Sequence, residues 1–273
     1  MLTVVEVTNI LGSTLRLPLL DTSNGYSVRD VEGLGPVAAT LTSSSLAQVD
    51  GAQPQNARRD VRNITMKIGF EPDFVNTTVQ SLRSALYDYL LPKANVGLNF
   101  YIDDVLTLVT SGQVETFDNV LFTADPEADI SILCYDPDFY GPAPVVLSTT
   151  TRSDTNTNLV NYDGTSEAGL IFTLNVNRAL TDFWITNARP DNVRQKMEVT
   201  GSYSSGDVIT IDTRPGSRGV TLLRSGSTSP ILYALDMTST WLSLMRGANQ
   251  FGAFAAGAGV PFTMSYTPQY GAI

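Results

Sequence analysis

Apolar residues recur at every second position, in short runs separated by Gly, Asp, Asn, Pro and Ser, along most of this chain. That period matches the pleat of a strand, whose successive side chains point to opposite faces, so the fold class is expected to be mainly β. In Gly97-Leu-Asn-Phe-Tyr-Ile102, the residues Leu98, Phe100 and Ile102 share a face. Asp103-Asp104 then supplies a turn, and Val105-Leu-Thr-Leu-Val-Thr110 completes a hairpin. The same pattern predicts turns at Ser111-Gly112 and Asp118-Asn119, with strands over Gln113–Phe117, Val120–Thr123 and Ile130–Tyr135.

One segment follows a different period. Val79, Leu82, Leu86, Tyr89 and Leu90 recur at spacings of three and four, as one face of a helix does. Asn76 or Thr77 can cap its start, and Pro92 ends it, because the residue before proline disfavours the helical region. The spacing predicts a single principal helix over about 77–91, lying across a sheet.

A length of 273 residues favours two domains. The boundary is set by composition: from Tyr140-Gly-Pro-Ala-Pro144 through Ser148-Thr-Thr-Thr-Arg-Ser153 the chain is turn-rich and polar, and the acidic bias stops there. Residues 1–147 hold 8 Lys+Arg against 18 Asp+Glu, whereas 148–273 hold 9 against 9, so the whole net charge of −10 lies in the first part. Two β-sandwich-type domains are expected, 1–147 with the helix and 148–273 without, the last strand able to return toward the first domain. Strands of the second are predicted at Leu170–Val176, Asp182–Thr186, Lys196–Thr200, Val208–Asp212 and Gly219–Leu223. Phe251–Phe262 is expected to be a glycine-rich loop feeding a last strand, Phe262–Thr267; it is too short to span a membrane.

The chain contains no histidine, which excludes Ser-His-Asp and Cys-His catalysis and His-ligated zinc. Cys134 is the only cysteine, so neither an internal disulfide nor a thiolate cluster can form, and its apolar neighbours make it a buried structural residue. Glu6 and the lack of a basic opening segment give no sign of an export signal, and no apolar run suggests a membrane anchor. An acidic balance argues against a surface that grips nucleic-acid phosphates.

Weighed as chemistry, each remaining constellation is weak. Asp125-x-Glu127-x-Asp129 has the opening spacing of a calcium loop but lacks its glycine and closing glutamate, so a solvated loop is the better reading. Asp136-Pro-Asp138 is a carboxylate pair of the kind a glycosidase needs, in a chain with 27 acidic residues where such pairs arise by chance. Arg58, Arg59 and Arg62 form the one basic cluster, with Asp60 inside it, and fit a subunit contact or strand edge better than a nucleic-acid site. Trp184 and Trp241 suit a sugar-stacking platform, but their apolar contexts favour core packing. No catalytic, cofactor or metal residues are assigned.

In order along the chain, the first part shows Gly25-Tyr26, Glu32-Gly33, the strand Arg62-Asn-Ile-Thr-Met-Lys67, the helix ending Tyr89-Leu-Leu-Pro92, and Cys134-Tyr-Asp-Pro137. The second shows Ser205-Gly-Asp-Val-Ile-Thr-Ile-Asp212, Gly219-Val-Thr-Leu222, Trp241-Leu-Ser-Leu-Met-Arg-Gly-Ala-Asn249 and Ser265-Tyr-Thr-Pro-Gln-Tyr-Gly271. In these motifs the chain resembles the distal tail protein family of long-tailed bacteriophages, and departs from it in the Ala/Gly-rich stretch 252–259. The resemblance implies a galectin-like second domain and a non-enzymatic virion subunit, made in the host cytoplasm and placed at the distal end of the tail. It implies a homo-oligomer, a hexameric ring that joins the tail tube protein to the baseplate hub or a tail-associated protein. The resemblance further implies an outer domain on which receptor-binding protein can dock, and passage of DNA without specific binding.

An acidic first domain fits such a channel, since a wall of negative charge repels phosphates. Asp103, Asp104, Asp125, Glu127 and Asp129, which crowd the predicted loops, are the candidate channel-lining residues. Two other readings stand beside this one. A carbohydrate-binding module of a phage adhesion device requires an exposed aromatic platform on the second domain. A glycoside hydrolase requires two facing carboxylates about 5–10 Å apart in a cleft.

Overall fold

A computed structural model describes residues 1–45, 50–120, 123, 125–152, 158–257 and 259–273. The chain divides into two compact units, Met1–Pro142 with Tyr270–Ile273, and Ala143–Gln269.

The first unit opens with β1 (Leu2–Thr8), β2 (Thr14–Pro18), β3 (Tyr26–Glu32), β4 (Ala39–Ser44), β5 (Gln53–Arg59) and β6 (Arg62–Phe70). The helix α1 (Val79–Leu90) follows, then β7 (Asn95–Ile102), β8 (Val105–Val120), β9 (Glu127–Cys134) and β10 (Phe139–Tyr140). The main sheet runs β2-β1-β7-β8-β9-β6-β3, antiparallel throughout, while among the described residues β4 and β5 pair only with each other. Alternation along β6 and β9 turns Ile64, Met66, Ile68, Ile130 and Ile132 into the core. The helix presents Leu82, Leu86 and Leu90 to the same core. Each buried leucine contributes roughly 1.5–3 kcal/mol of transfer free energy.

The helix begins two residues later than expected. Thr78 caps it, its hydroxyl accepting from Ser81 N while the Ser81 hydroxyl accepts from Thr78 N. Asn76 and Thr77 are instead bound to Asp73, whose carboxylate accepts from the backbone N–H of Val75, Asn76 and Thr77.

The turn expected at Ser111-Gly112 does not form: β8 runs unbroken for 16 residues through it and through Asp118-Asn119. A Cβ on Gly112 would lie 2.8 Å from Ile132 Cγ2, 2.9 Å from Cys134 Sγ and 2.9 Å from Leu133 O. The glycine marks a close approach of neighbouring strands rather than a reversal. In the strand expected at Val120–Thr123, Val120 ends β8, and positions 121 and 122 lie outside the described residues.

In the second unit β11 (Val145–Thr150), β12 (Asn158–Tyr162), β13 (Ile171–Asn175), β14 (Leu180–Ala188) and β15 (Arg194–Tyr203) come first. They are followed by β16 (Val208–Asp212), β17 (Gly219–Arg224), β18 (Ser227–Pro230), β19 (Gly247–Ala255) and β20 (Pro261–Tyr266). A last short strand, β21 (Gln269–Tyr270), pairs with β10. A six-stranded sheet, β11-β20-β13-β16-β17-β18, and a four-stranded one, β12-β19-β14-β15, share a core that includes Phe172, Phe183, Ile185, Ile211, Phe251 and Phe262. Strand β11 pairs with β20 along its length, so the limit expected at 147/148 falls inside a strand.

The glycine-rich loop expected over Phe251–Phe262 is a strand for much of its length. β19 is central, paired with β12 on one side and β14 on the other. Gly252 sits where a Cβ would lie 2.7 Å from Phe254 Cε2 and 3.1 Å from Thr186 Oγ1, so its missing side chain makes room for the ring. Among the described residues, no helix is long and apolar enough to cross a membrane.

Candidate functional site

The strands that send isoleucine and methionine into the first core send charge to the opposite face. Register sets Asp30, Lys67, Asp129 and Asp118 side by side across β3, β6, β9 and β8. Glu32, Thr65, Ser131 and Thr116 form another row. Glu115 is exposed at the β8 bulge, its carboxylate 3.1 Å from the Ser131 hydroxyl. The face therefore gathers Asp30, Glu32, Glu115, Asp118, Glu127 and Asp129 around two cations, Arg29 and Lys67.

Those cations are already engaged. Arg29 binds Glu127 at 2.9 Å and makes a second, shorter bond to Asp125. Lys67 Nζ lies 3.5 Å from Glu127 and 3.7 Å from Asp129. The guanidinium holds the Asp125 carboxyl below the usual carboxylate range, and the same bond raises the pKa of Arg29. Among the described residues, Asp30, Glu32, Glu115 and Asp118 form no ion pair, so the face keeps a negative excess.

The acidic residues singled out from sequence do not form one group. Asp103 and Asp104 are the two-residue loop of the β7–β8 hairpin, with φ of 48° and 64°, which aspartate tolerates. Asp103 accepts from the Met1 amino group at 2.8 Å. Asp125, Glu127 and Asp129 are at the other end of β8, whose 16 residues extend over about 50 Å at about 3.3 Å per residue. Sequence reasoning missed Asp30, Glu32, Glu115 and Asp118, which sit at outward positions within strands; the signal was their alternation with apolar neighbours that pack into or against the core, Val31, Val114 and Phe117.

The arginine cluster is also divided. Arg58 is exposed and 4.0 Å from Asp60. Arg59 grips Asp138 with both terminal nitrogens, at 2.5 and 2.6 Å. Arg62 is fully buried, which corrects its assignment as a subunit contact: it cannot reach another chain. Its Nε donates to Pro137 O at 2.9 Å, one terminal nitrogen to Gly33 O and Gly35 O at 2.6 and 2.7 Å, and the other to Gly271 O at 2.6 Å. The guanidinium lies over the Phe139 ring, 4.2 Å from its centroid. Burial pulls the pKa of Arg62 down.

Both members of the carboxylate pair have structural partners: Asp138 is clamped by Arg59, and Asp136 accepts from Asp138 N at 3.0 Å and from the Tyr140 hydroxyl. The two tryptophans do not meet. Trp184 is half-buried on the outer face of the four-stranded sheet, between Phe254 of β19, stacked at 5.7 Å, and Lys196 of β15, with Nζ 5.4 Å from the ring. Trp241 packs against the core, with Arg218 at 5.7 Å. Among the described residues, no group of acidic or cysteine side chains is placed to hold a metal ion.

Residues 163–270 match the family described as siphovirus-type tail component, C-terminal domain. The SPP1 Dit protein, called a paradigm of the hub adsorption apparatus in phages that infect Gram-positive bacteria, superposes with a TM-score of 0.67. That match covers 97% of this chain and 98% of the other at 17% identity. A chain of the phage P2 baseplate, activated with Ca, aligns over all of both chains at 9% identity, with a TM-score of 0.47. No curated protein sequence matches.

Proposed function

We propose that this is a non-enzymatic structural subunit of the distal tail, a reading supported by the match of residues 163–270 to a siphovirus-type tail component domain and by a fold similar to that of the SPP1 Dit protein. In this reading six copies close into a ring that joins the tail tube to the baseplate hub, and the genome passes through its centre. The second, galectin-like unit is the one that meets receptor-binding machinery.

The one-sided charge of the first sheet carries the reading. Apolar side chains cover one face, and on the other the carboxylates outnumber the two cations that pair with them, as a wall along a DNA path requires. Exposed charges are screened over about 8 Å at physiological salt, so the repulsion acts only on DNA confined close to the wall. We assign that wall to Asp30, Glu32, Glu115 and Asp118 together with Glu127 and Asp129, and leave Asp103 and Asp104 outside it. Passage without binding follows, because phosphate contacts and counterion release need lysine and arginine.

Electron microscopy of the purified protein tests this directly. The expected particle is a closed ring, with a hole wide enough for duplex DNA and the acidic face turned toward it. Open or monomeric particles, or rings with that face outside, refute the reading.

A further inference from the structure

The outer face of the four-stranded sheet carries a trough. Two adjoining hollows, of about 420 and 430 Å³, share Ala188, Arg194 and Gln250. Register explains the shape. Arg194, Ala188 and Gln250 are partners across β15, β14 and β19, and Lys196, Thr186 and Gly252 form the next row, about 7 Å along the strands. Ala188 and Thr186 on the central strand make the floor, and the long side chains on either side make the walls. Phe254 closes one end, 8% exposed, in the space that Gly252 leaves open.

The polar groups of the trough set it apart. Among the described residues, the side chains of Arg194, Gln250, Thr186 and Asn192 make no hydrogen bond or ion pair. The cations beside them are engaged: Lys196 is 2.6 Å from Glu198, and Arg189 holds Glu167 and Asp191 at 2.9 and 2.7 Å. One guanidinium is left over, so the lining keeps a positive charge. In the recess beside β1, β7 and β8, by contrast, Asn9, Gln113 and Asp136 already bond within the protein.

These groups select a chemical class. Amides and hydroxyls both donate and accept, as the neighbouring hydroxyls of a sugar do, and a guanidinium fork meets a carboxylate or phosphate with two parallel bonds. An extended peptide would need free backbone groups, and the backbone of β14 is paired on both sides. A nucleobase would need an open ring to stack on, and Phe254 and Trp184 are stacked on each other.

We propose that the second unit binds an acidic saccharide in this trough, with Arg194 on a carboxylate or phosphate of the sugar and Gln250, Thr186 and Asn192 on its hydroxyls. About 10 Å separates the Cα atoms of Arg194 and Gln250 across β14, enough for one sugar ring between the two side chains. The site goes beyond the structural role proposed above, and neither depends on the other.

Calorimetric titration of the purified full-length chain tests it, with mannose 6-phosphate, a hyaluronan tetrasaccharide, maltotriose and inorganic phosphate as probes. The first two separate a phosphate-bearing from a carboxylate-bearing sugar, and at least one of them should bind about tenfold or more tightly than maltotriose and inorganic phosphate, as a charged hydrogen-bond pair implies. Arg194→Ala should weaken that binding about tenfold, and Gln250→Ala roughly fivefold. Both side chains are exposed, so circular dichroism and self-association should be unchanged. The site is refuted if neither acidic saccharide binds at millimolar concentration, if maltotriose or inorganic phosphate binds as tightly as they do, or if Arg194→Ala binds as the wild type does. None of these results touches the ring, which electron microscopy tests by itself.

Discussion

Replacing Arg62 by methionine keeps the length of the side chain but removes a buried cation that binds the carbonyls of Pro137, Gly33, Gly35 and Gly271. Bonds to charged groups contribute about 1.5–3 kcal/mol each, and a buried acceptor left unpaired costs about 1–3 kcal/mol. Some of the carbonyls will rehydrate, so the sum is not additive, and about 3–5 kcal/mol is the expected loss, as for breaking a buried ion pair. At about 3 °C per kcal/mol for a unit of this size, the first unit should melt about 10 °C lower.

The chain supplies separate probes for its two units. Its only cysteine, Cys134, is buried in the first core, where desolvation pushes the thiol pKa up, so reaction with a thiol reagent reports opening of that unit. Both tryptophans lie in the second unit, so their fluorescence reports it alone. In Arg62→Met, thiol labelling should begin about 10 °C earlier while the fluorescence midpoint stays put. A shift of less than about 3 °C, or equal movement of both probes, would refute the view that this arginine ties the first unit together.

Acid should weaken the second unit through Asp207, which is 5% exposed and held below the usual carboxylate range first by Arg224. A depressed folded-state pKa gives stability that is present above the unfolded value, about 4, and lost as pH falls through the lower folded value. Asp207→Asn should therefore flatten the acid side of the tryptophan-monitored stability curve and cost about 1.5–3 kcal/mol at neutral pH. Gly112→Ala should cost about 1–3 kcal/mol by overpacking, since the new methyl meets Ile132, Cys134 and a carbonyl; thermal melts followed by thiol labelling would show it.

What could be read from the sequence was what local periodicity encodes. The alternation that predicted strands at Leu98–Ile102 and Val208–Asp212 is the pleat itself, and the three-four spacing of Val79–Leu90 is the buried stripe of the helix. Glycines were misread where their role is tertiary. Gly112 looks like a turn and is a strand-to-strand contact, and Gly252 looks like a loop and makes room for Phe254. Charge was visible in amount but not in direction. Asp103 and Asp129 are close in sequence and sit at opposite ends of β8, whereas Asp30 and Asp118 are far apart in sequence and share a face through Lys67 and Asp129. Arg58, Arg59 and Arg62 were one cluster on paper; only pairing with distant carbonyls and a carboxylate separates them.

The four residues after Gln269 belong with the first unit, and the strands on either side of the second, β10 and β21, are paired with each other. The second unit is thus an insertion whose points of departure and return are neighbours. A segment attached in this way can be exchanged by recombination for an unrelated fold with closely spaced ends, leaving both flanking strands in register.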